Sequence, residues 1–149
     1  MPMIDIWAAA GTFGDLKKLT TEAAALVKSV EQVPDIPMFR KNTAAFVHEL
    51  PAAAFSNVDG DSNCVRVQVL TNAGALDRDK QISLVRQLTD LVAAAANDPE
   101  LKMRTWVLLT EAPPGGWGLW GHAHTNEELV NAAKAEIARL RKSDASTSD

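Results

Sequence analysis

The chain carries one pattern twice, and this internal repeat restricts its fold more than any other feature. Residues 3–7, Met-Ile-Asp-Ile-Trp, alternate as a short strand does, and Gly11 then breaks the run. Residues 15–33 place Leu16, Leu19, Ala23, Leu26, Val27 and Val30 at helical spacing. Pro34 and Pro37 end that helix, and residues 44–50 form a second strand stopped by Pro51. The second half repeats the order. Residues 65–70 alternate as a strand, and Gly74 follows 63 residues after Gly11. Asp77 caps a helix over residues 78–96, with an apolar stripe at Ile82, Val85, Leu88, Thr89 and Val92. Asp98-Pro99 closes it, and residues 104–109 form the last strand. Thr110-Glu111-Ala112-Pro113 echoes His48-Glu49-Leu50-Pro51 at an offset of 62. Two strand–helix–strand crossovers make each strand pair parallel and put the helices on one side. The expected fold is α+β: two tandem β-α-β units forming one four-stranded sheet with both helices packed on one face.

A hairpin and a helix complete the chain. Residues 113–124 are too rich in glycine for a helix and read as a turn followed by a short hairpin. Thr125 to Glu128 is a capping box opening a helix over residues 126–142. The polar residues 143–149 read as a disordered tail. The reading is therefore one domain over residues 1–142, with pseudo-repeats at about 2–62 and 63–124. With 149 residues and 46% apolar content, one such core is affordable. A net charge of −4 without a basic cluster excludes a nucleic-acid footprint. No apolar run is long enough to cross a membrane. The start has neither the basic region nor the apolar stretch of a signal peptide, and Cys64 is the single cysteine, so a cytoplasmic setting is expected.

Three features together resemble the tautomerase superfamily founded on 4-oxalocrotonate tautomerase. They are Pro2 directly after Met1 and leading into a strand, the doubled β-α-β order, and Thr110-Glu111 followed by Gly115-Gly116-Trp117-Gly118-Leu119-Trp120-Gly121. The resemblance covers about residues 2–124. Length and repeat match the fused branch, which includes cis-3-chloroacrylic acid dehalogenase and malonate semialdehyde decarboxylase. It implies a homotrimer with sites at subunit boundaries, acting on a small molecule without a cofactor. It also implies that Pro2, exposed when Met1 is removed, is the catalytic base. An α-amino group titrates at about 7.7–8.0 unperturbed. An apolar pocket lowers that value further, towards what proton abstraction beside a carbonyl needs. The alternative is that Pro2 only starts a strand, where its missing N–H costs little. Val65 holds the corresponding slot of the second half, inside the chain, so one chain can hold one such amine.

The resemblance also sets out the rest of the expected site. Trp117 falls where the founding enzyme has the phenylalanine that makes its pocket apolar; the alternative, compatible reading packs Trp117 and Trp120 between subunits. The family's anion-binding arginines are missing: Thr12 and Ala75 hold one pair of matching positions, Ala44 and Trp106 the other. Arg104, two residues before Trp106 and so on the same strand face, is either a displaced replacement or a solvated strand-end arginine. The specialised branches carry paired arginines near the end of the third strand. Here residues 70–75 hold no arginine, which weakens both specialised activities and leaves Thr71 and Asn72 as neutral donors; a site without its arginines should bind dicarboxylates poorly. His48 takes the place of Thr110 and is either a donor at the site or a histidine packed beside a neighbouring strand. His122 and His124 form a His-x-His pair, but no carboxylate or cysteine lies at a telling spacing, and no metal is expected. Glu49 and Glu111 read as structural partners for loop amides or arginines, and Cys64 as a small apolar filler. Three functions remain: an enol–keto or double-bond isomerase with Pro2 as base, a hydratase, dehalogenase or decarboxylase with Pro2 as acid, and a non-catalytic oligomeric binding protein.

Overall fold

The computed structural model describes residues 1–147. The strands are β1 (Met3–Ala9), β2 (Ala44–Leu50), β3 (Val65–Asn72) and β4 (Thr105–Ala112), in the order β2-β1-β3-β4. The pairs β1–β2 and β3–β4 are parallel, and β1 runs antiparallel to β3. This is the doubled β-α-β sheet, with its two halves joined along the antiparallel seam. Because Met3 pairs with Leu70 and Trp7 with Arg66, the start of β1 lies beside the ends of β3 and β4.

Helices α1 (Leu16–Glu31) and α3 (Arg78–Ala95) cover one face. Ile4, Ile6, Ala8, Val65, Val67 and Val69 point towards them and meet Leu19, Ala23, Val27, Leu84, Leu88 and Val92 in one buried cluster. Asp15 and Asp77 cap the two helices, each accepting from the amide three residues on, at 2.9 Å. Gly11 and Gly74 take equivalent turns with φ +84° and +73°, where a side chain would be strained. In each turn the glycine amide donates to the strand-end carboxylate of the same unit: Gly11 to Glu49 at 3.3 Å and Gly74 to Glu111 at 3.1 Å. The repeated glutamates thus tie a turn to a strand in both units.

Four local readings change. Pro37 opens a short helix, α2 (Pro37–Lys41), since proline suits a first helical turn. The buried row of α3 is Leu84, Leu88 and Val92, while Ile82 and Val85 face outwards. Both rows are apolar, so periodicity alone does not choose between them. Pro99 likewise starts a 3₁₀ turn, Pro99–Arg104, which delays β4 to Thr105. Finally, α4 (Asn126–Ser146) runs four residues beyond the expected end, so residues 143–146 are helical; residues 148–149 of the expected tail lie outside the described residues.

The hairpin β5 (Trp117–Leu119) and β6 (His122–His124) and helix α4 form a second apolar cluster, with Met1, Ile36, Met38, Trp117, Leu129 and Ala133 at its centre. Met3, Leu70 and Ala112 join it from the sheet face away from α1 and α3. The capping box of α4 is present, and the Asn126 side chain donates to the Ala73 carbonyl at 2.8 Å, fastening the start of α4 to the end of β3. Among the described residues, only one end of that sheet face is covered in this way. The remainder presents Phe46, Trp106 and Leu108, all close to half exposed.

Candidate active site at the amino terminus

The amine of Met1 is buried, which an ammonium tolerates only with a partner. The partner is Glu31, the last residue of α1. The Met1 amine donates to Glu31 Oε1 at 3.1 Å and reaches Oε2 at 3.5 Å. Glu31 is 9% exposed, an unusual position for a carboxylate without a counter-ion. The two together form a buried ion pair. Burial pulls the amine below its ordinary pKa, and the Glu31 carboxylate acts in the opposite sense. Lys80, in the first turn of α3, donates from Nζ to the Glu31 carbonyl at 3.1 Å and steadies the end of α1. Pro2 is buried beside this pair, and its carbonyl accepts from the Ala44 amide at 3.3 Å.

A cavity of about 410 Å³ opens onto Met1 and Glu31. Phe39, Leu129 and Ile137 line it with apolar surface, while Asn72, Asn126 and Lys134 supply polar groups. It therefore gathers the end of α1, the loop after it, the turn after β3 and one face of α4. A small molecule with an apolar body and few polar atoms fits such a lining.

No family model and no curated protein matches the sequence. Solved structures do match. A member of the cis-3-chloroacrylic acid dehalogenase family is 16% identical, with 88% of this chain and 90% of that one covered at a TM-score of 0.68. A fused 4-OT solved as a symmetric trimer is 17% identical, covering 85% and 98% at 0.69. Malonate semialdehyde decarboxylase is 16% identical, covering 87% and 98% at 0.64. The chain has the tautomerase-superfamily fold.

Within the tautomerase fold the residues singled out from the sequence separate into two groups. Asn72 ends β3 and lines the cavity with Met1. Trp117 is 7% exposed and belongs to the apolar cluster that buries Met1, so it stands behind the terminal segment. Arg104 and His48 go elsewhere. Arg104 ends the 3₁₀ turn before β4, one strand length from the residues beside Pro2, and β4 alone spans roughly 25 Å at about 3.3 Å per residue. Its guanidinium donates to Asp98 Oδ2 at 2.7 Å, to the Asn63 carbonyl at 3.1 Å and to the Glu100 carbonyl at 3.2 Å. Within the chain it is a clamp between the 3₁₀ turn and the start of β3. The face assignment fails because the residue before β4 is not extended.

His48 lies on the uncovered sheet face, towards the end of β2, whereas Pro2 meets the start of that strand. Its Nε2 lies 2.6 Å from Asp5 Oδ1, and its ring stacks on Trp7 at 4.8 Å between centroids. The Arg66 guanidinium sits 4.6 Å over the same indole. His122 Nε2 lies 3.2 Å from Glu128, and His124 packs edge-on against His122. Cys64 is buried at the start of β3.

Sequence reasoning missed Glu31, Asn126 and Lys134. Glu31 had a signal: Leu19, Ala23, Val27 and Glu31 form one i, i+4 row, so the carboxylate continues the buried stripe. The two α4 residues had none, because nothing in their local pattern says where α4 docks.

Proposed function

We propose that the protein is a tautomerase that uses the amine of Pro2, freed by removal of Met1, as general base on a small 2-keto acid or related carbonyl compound. The observation that supports this most directly is the buried amino terminus beside a cavity, where desolvation already lowers the pKa of the amine now present. Cleavage before Pro2 would move the amine along the chain by one residue, about 3.8 Å between consecutive Cα atoms. It would also vacate the space filled by Met1. The secondary amine would then stand in a largely apolar site with Phe39 and Leu129 in its lining and Trp117 behind it. A base near neutrality in such a site abstracts a proton beside a carbonyl, and its conjugate acid returns that proton to another atom. The amides of Asn72 and Asn126 would orient the carbonyl or carboxyl oxygens.

A second reading rests on Glu31. A buried carboxylate beside the amine favours the ammonium form and so favours Pro2 as an acid in hydration, dehalogenation or decarboxylation. We also propose a homotrimer assembled through the uncovered sheet face, in line with the symmetric trimer of a fused 4-OT. A cytoplasmic setting belongs to the same reading.

The deciding experiment measures ketonisation of phenylenolpyruvate and 2-hydroxymuconate by native protein and Pro2→Ala, each checked by intact mass for loss of Met1. The tautomerase reading expects turnover by the native protein and at least a hundredfold loss in Pro2→Ala. Equal rates remove Pro2 from the mechanism. Turnover of acrylates or a semialdehyde alone selects the acid reading, and no turnover of any of them selects a non-catalytic binding protein.

A further inference from the structure

We propose that Glu31 is a second catalytic residue, the proton-transfer partner of the Pro2 amine, so that amine and carboxylate hold one proton between them and pass it through the substrate. This rests on the tautomerase reading given above, with the Pro2 amine as base in enolisation and its conjugate acid as proton donor in ketonisation. Glu31 is nine-tenths buried, continues the inner row of α1, and directs both carboxylate oxygens at the Met1 amine. With Met1 gone, that partner disappears and the carboxylate faces the vacated space. The prolyl amine would stand about one residue step, ~3.8 Å, from the position of the lost amine. The prolyl nitrogen and the carboxylate would then flank the vacated space, where an enol can lie with one group at its oxygen and the other at the carbon two bonds away.

The step balances without any co-reactant. In ketonisation the pair begins as prolinium and carboxylate, the pairing for which the 3.1 Å contact between the Met1 amine and Glu31 is the geometric precedent. The enol O–H bond breaks and its proton goes to a Glu31 oxygen. The O–H electron pair becomes the carbonyl π bond. The C=C π electrons take the proton from the prolinium nitrogen, which keeps the N–H pair. The products are ketone, neutral amine and protonated Glu31, and transfer of that proton to the amine restores the start. Enolisation is the same path reversed. Among the described residues, Lys80 from α3 is bound to the Glu31 carbonyl and Lys134 from α4 lines the same cavity. Lys134 is the cation placed to hold a substrate carboxylate there, which favours a monocarboxylate with an apolar tail over a dicarboxylate.

The test uses mass-verified protein lacking Met1 and follows phenylenolpyruvate ketonisation from pH 5 to 9. Glu31→Gln should lower kcat about a hundredfold, the lower range for one general acid–base group, with little change in KM. It should also change the shape of the kcat profile, and Glu31→Asp should restore part of both. A Glu31→Gln protein with native kcat and an unchanged profile overturns the proposal. Should that variant fail to fold, carboxyl 13C NMR of native protein decides: the Glu31 titration must move when phenylpyruvate saturates the site, and an unmoved titration overturns the proposal. A dead Pro2→Ala beside a fully active Glu31→Gln removes Glu31 alone. An active Pro2→Ala removes the Pro2 reading and this one with it.

Discussion

Replacing Trp106 with alanine tests the proposed trimer through the largest half-exposed side chain of the open sheet face. Trp106 lies on edge strand β4, pairs with Arg66, and is 48% exposed on the face away from α1 and α3. An aromatic side chain of this size presents about 200 Å² when free, so roughly 100 Å² of mainly apolar surface remains to be buried. At about 25 cal/mol per Å², covering it contributes roughly 2.5 kcal/mol per subunit. Three copies then contribute about 7 kcal/mol to a symmetric trimer, or about five orders of magnitude in its formation constant at 1.4 kcal/mol per decade. Because trimerisation depends on the square of concentration, the midpoint should rise by two to three orders of magnitude. The isolated chain should lose little, since half of the indole is already solvated in it. Sedimentation velocity over a dilution series from micromolar to nanomolar reads the midpoint directly. A Trp106→Ala protein whose midpoint moves less than tenfold, or a native protein that sediments as a monomer throughout, refutes the assembly through this face.

Two further predictions concern the chain itself. Leu88, fully buried between α3 and the sheet, should cost about 2–5 kcal/mol on truncation to alanine, seen as a lowered midpoint in urea unfolding. A loss under 1 kcal/mol would show that this row of α3 is not the core-facing one. The Glu128 carboxyl is held below its ordinary pKa, first by the Thr125 backbone amide and then by His122. A depressed carboxyl stabilises the fold above its unfolded-state pKa, and that contribution is lost as pH falls through the lower folded value. Carboxyl 13C NMR should therefore show Glu128 titrating below the ordinary glutamate value in the folded protein, and a titration at or above it contradicts the capping-box geometry.

Much of the fold is legible in the sequence because its signals are local and occur twice. Alternation marked four strands, Asp15 and Asp77 stand at helix starts, and Gly11 and Gly74 sit where positive φ is needed. The duplicated crossover then leaves few ways to order the strands. What local pattern could not choose was the side of α3 that faces the sheet, since Ile82 and Val85 are as apolar as Leu84 and Leu88. Nor could it separate a proline that ends a helix from one that begins the next turn, so neither α2 nor the 3₁₀ turn that holds Arg104 is legible in it.

The site divides along the same line. The sequence by itself put a proline at position 2, a tryptophan in a glycine-rich hairpin, and an asparagine at the end of β3. Tertiary structure decided which of these share a cavity. It turned Glu31 from a helix-end carboxylate into the partner of the terminal amine, brought α4 across Asn72 and Phe39, and carried Arg104 and His48 away from Pro2. The reason is physical: a carboxylate's role depends on what desolvates it and which charge it meets, and both come from residues distant in the chain. Met1 and Glu31 are 30 positions apart and Lys134 lies beyond both repeats, so only the packed sheet and its last helix place them around one space.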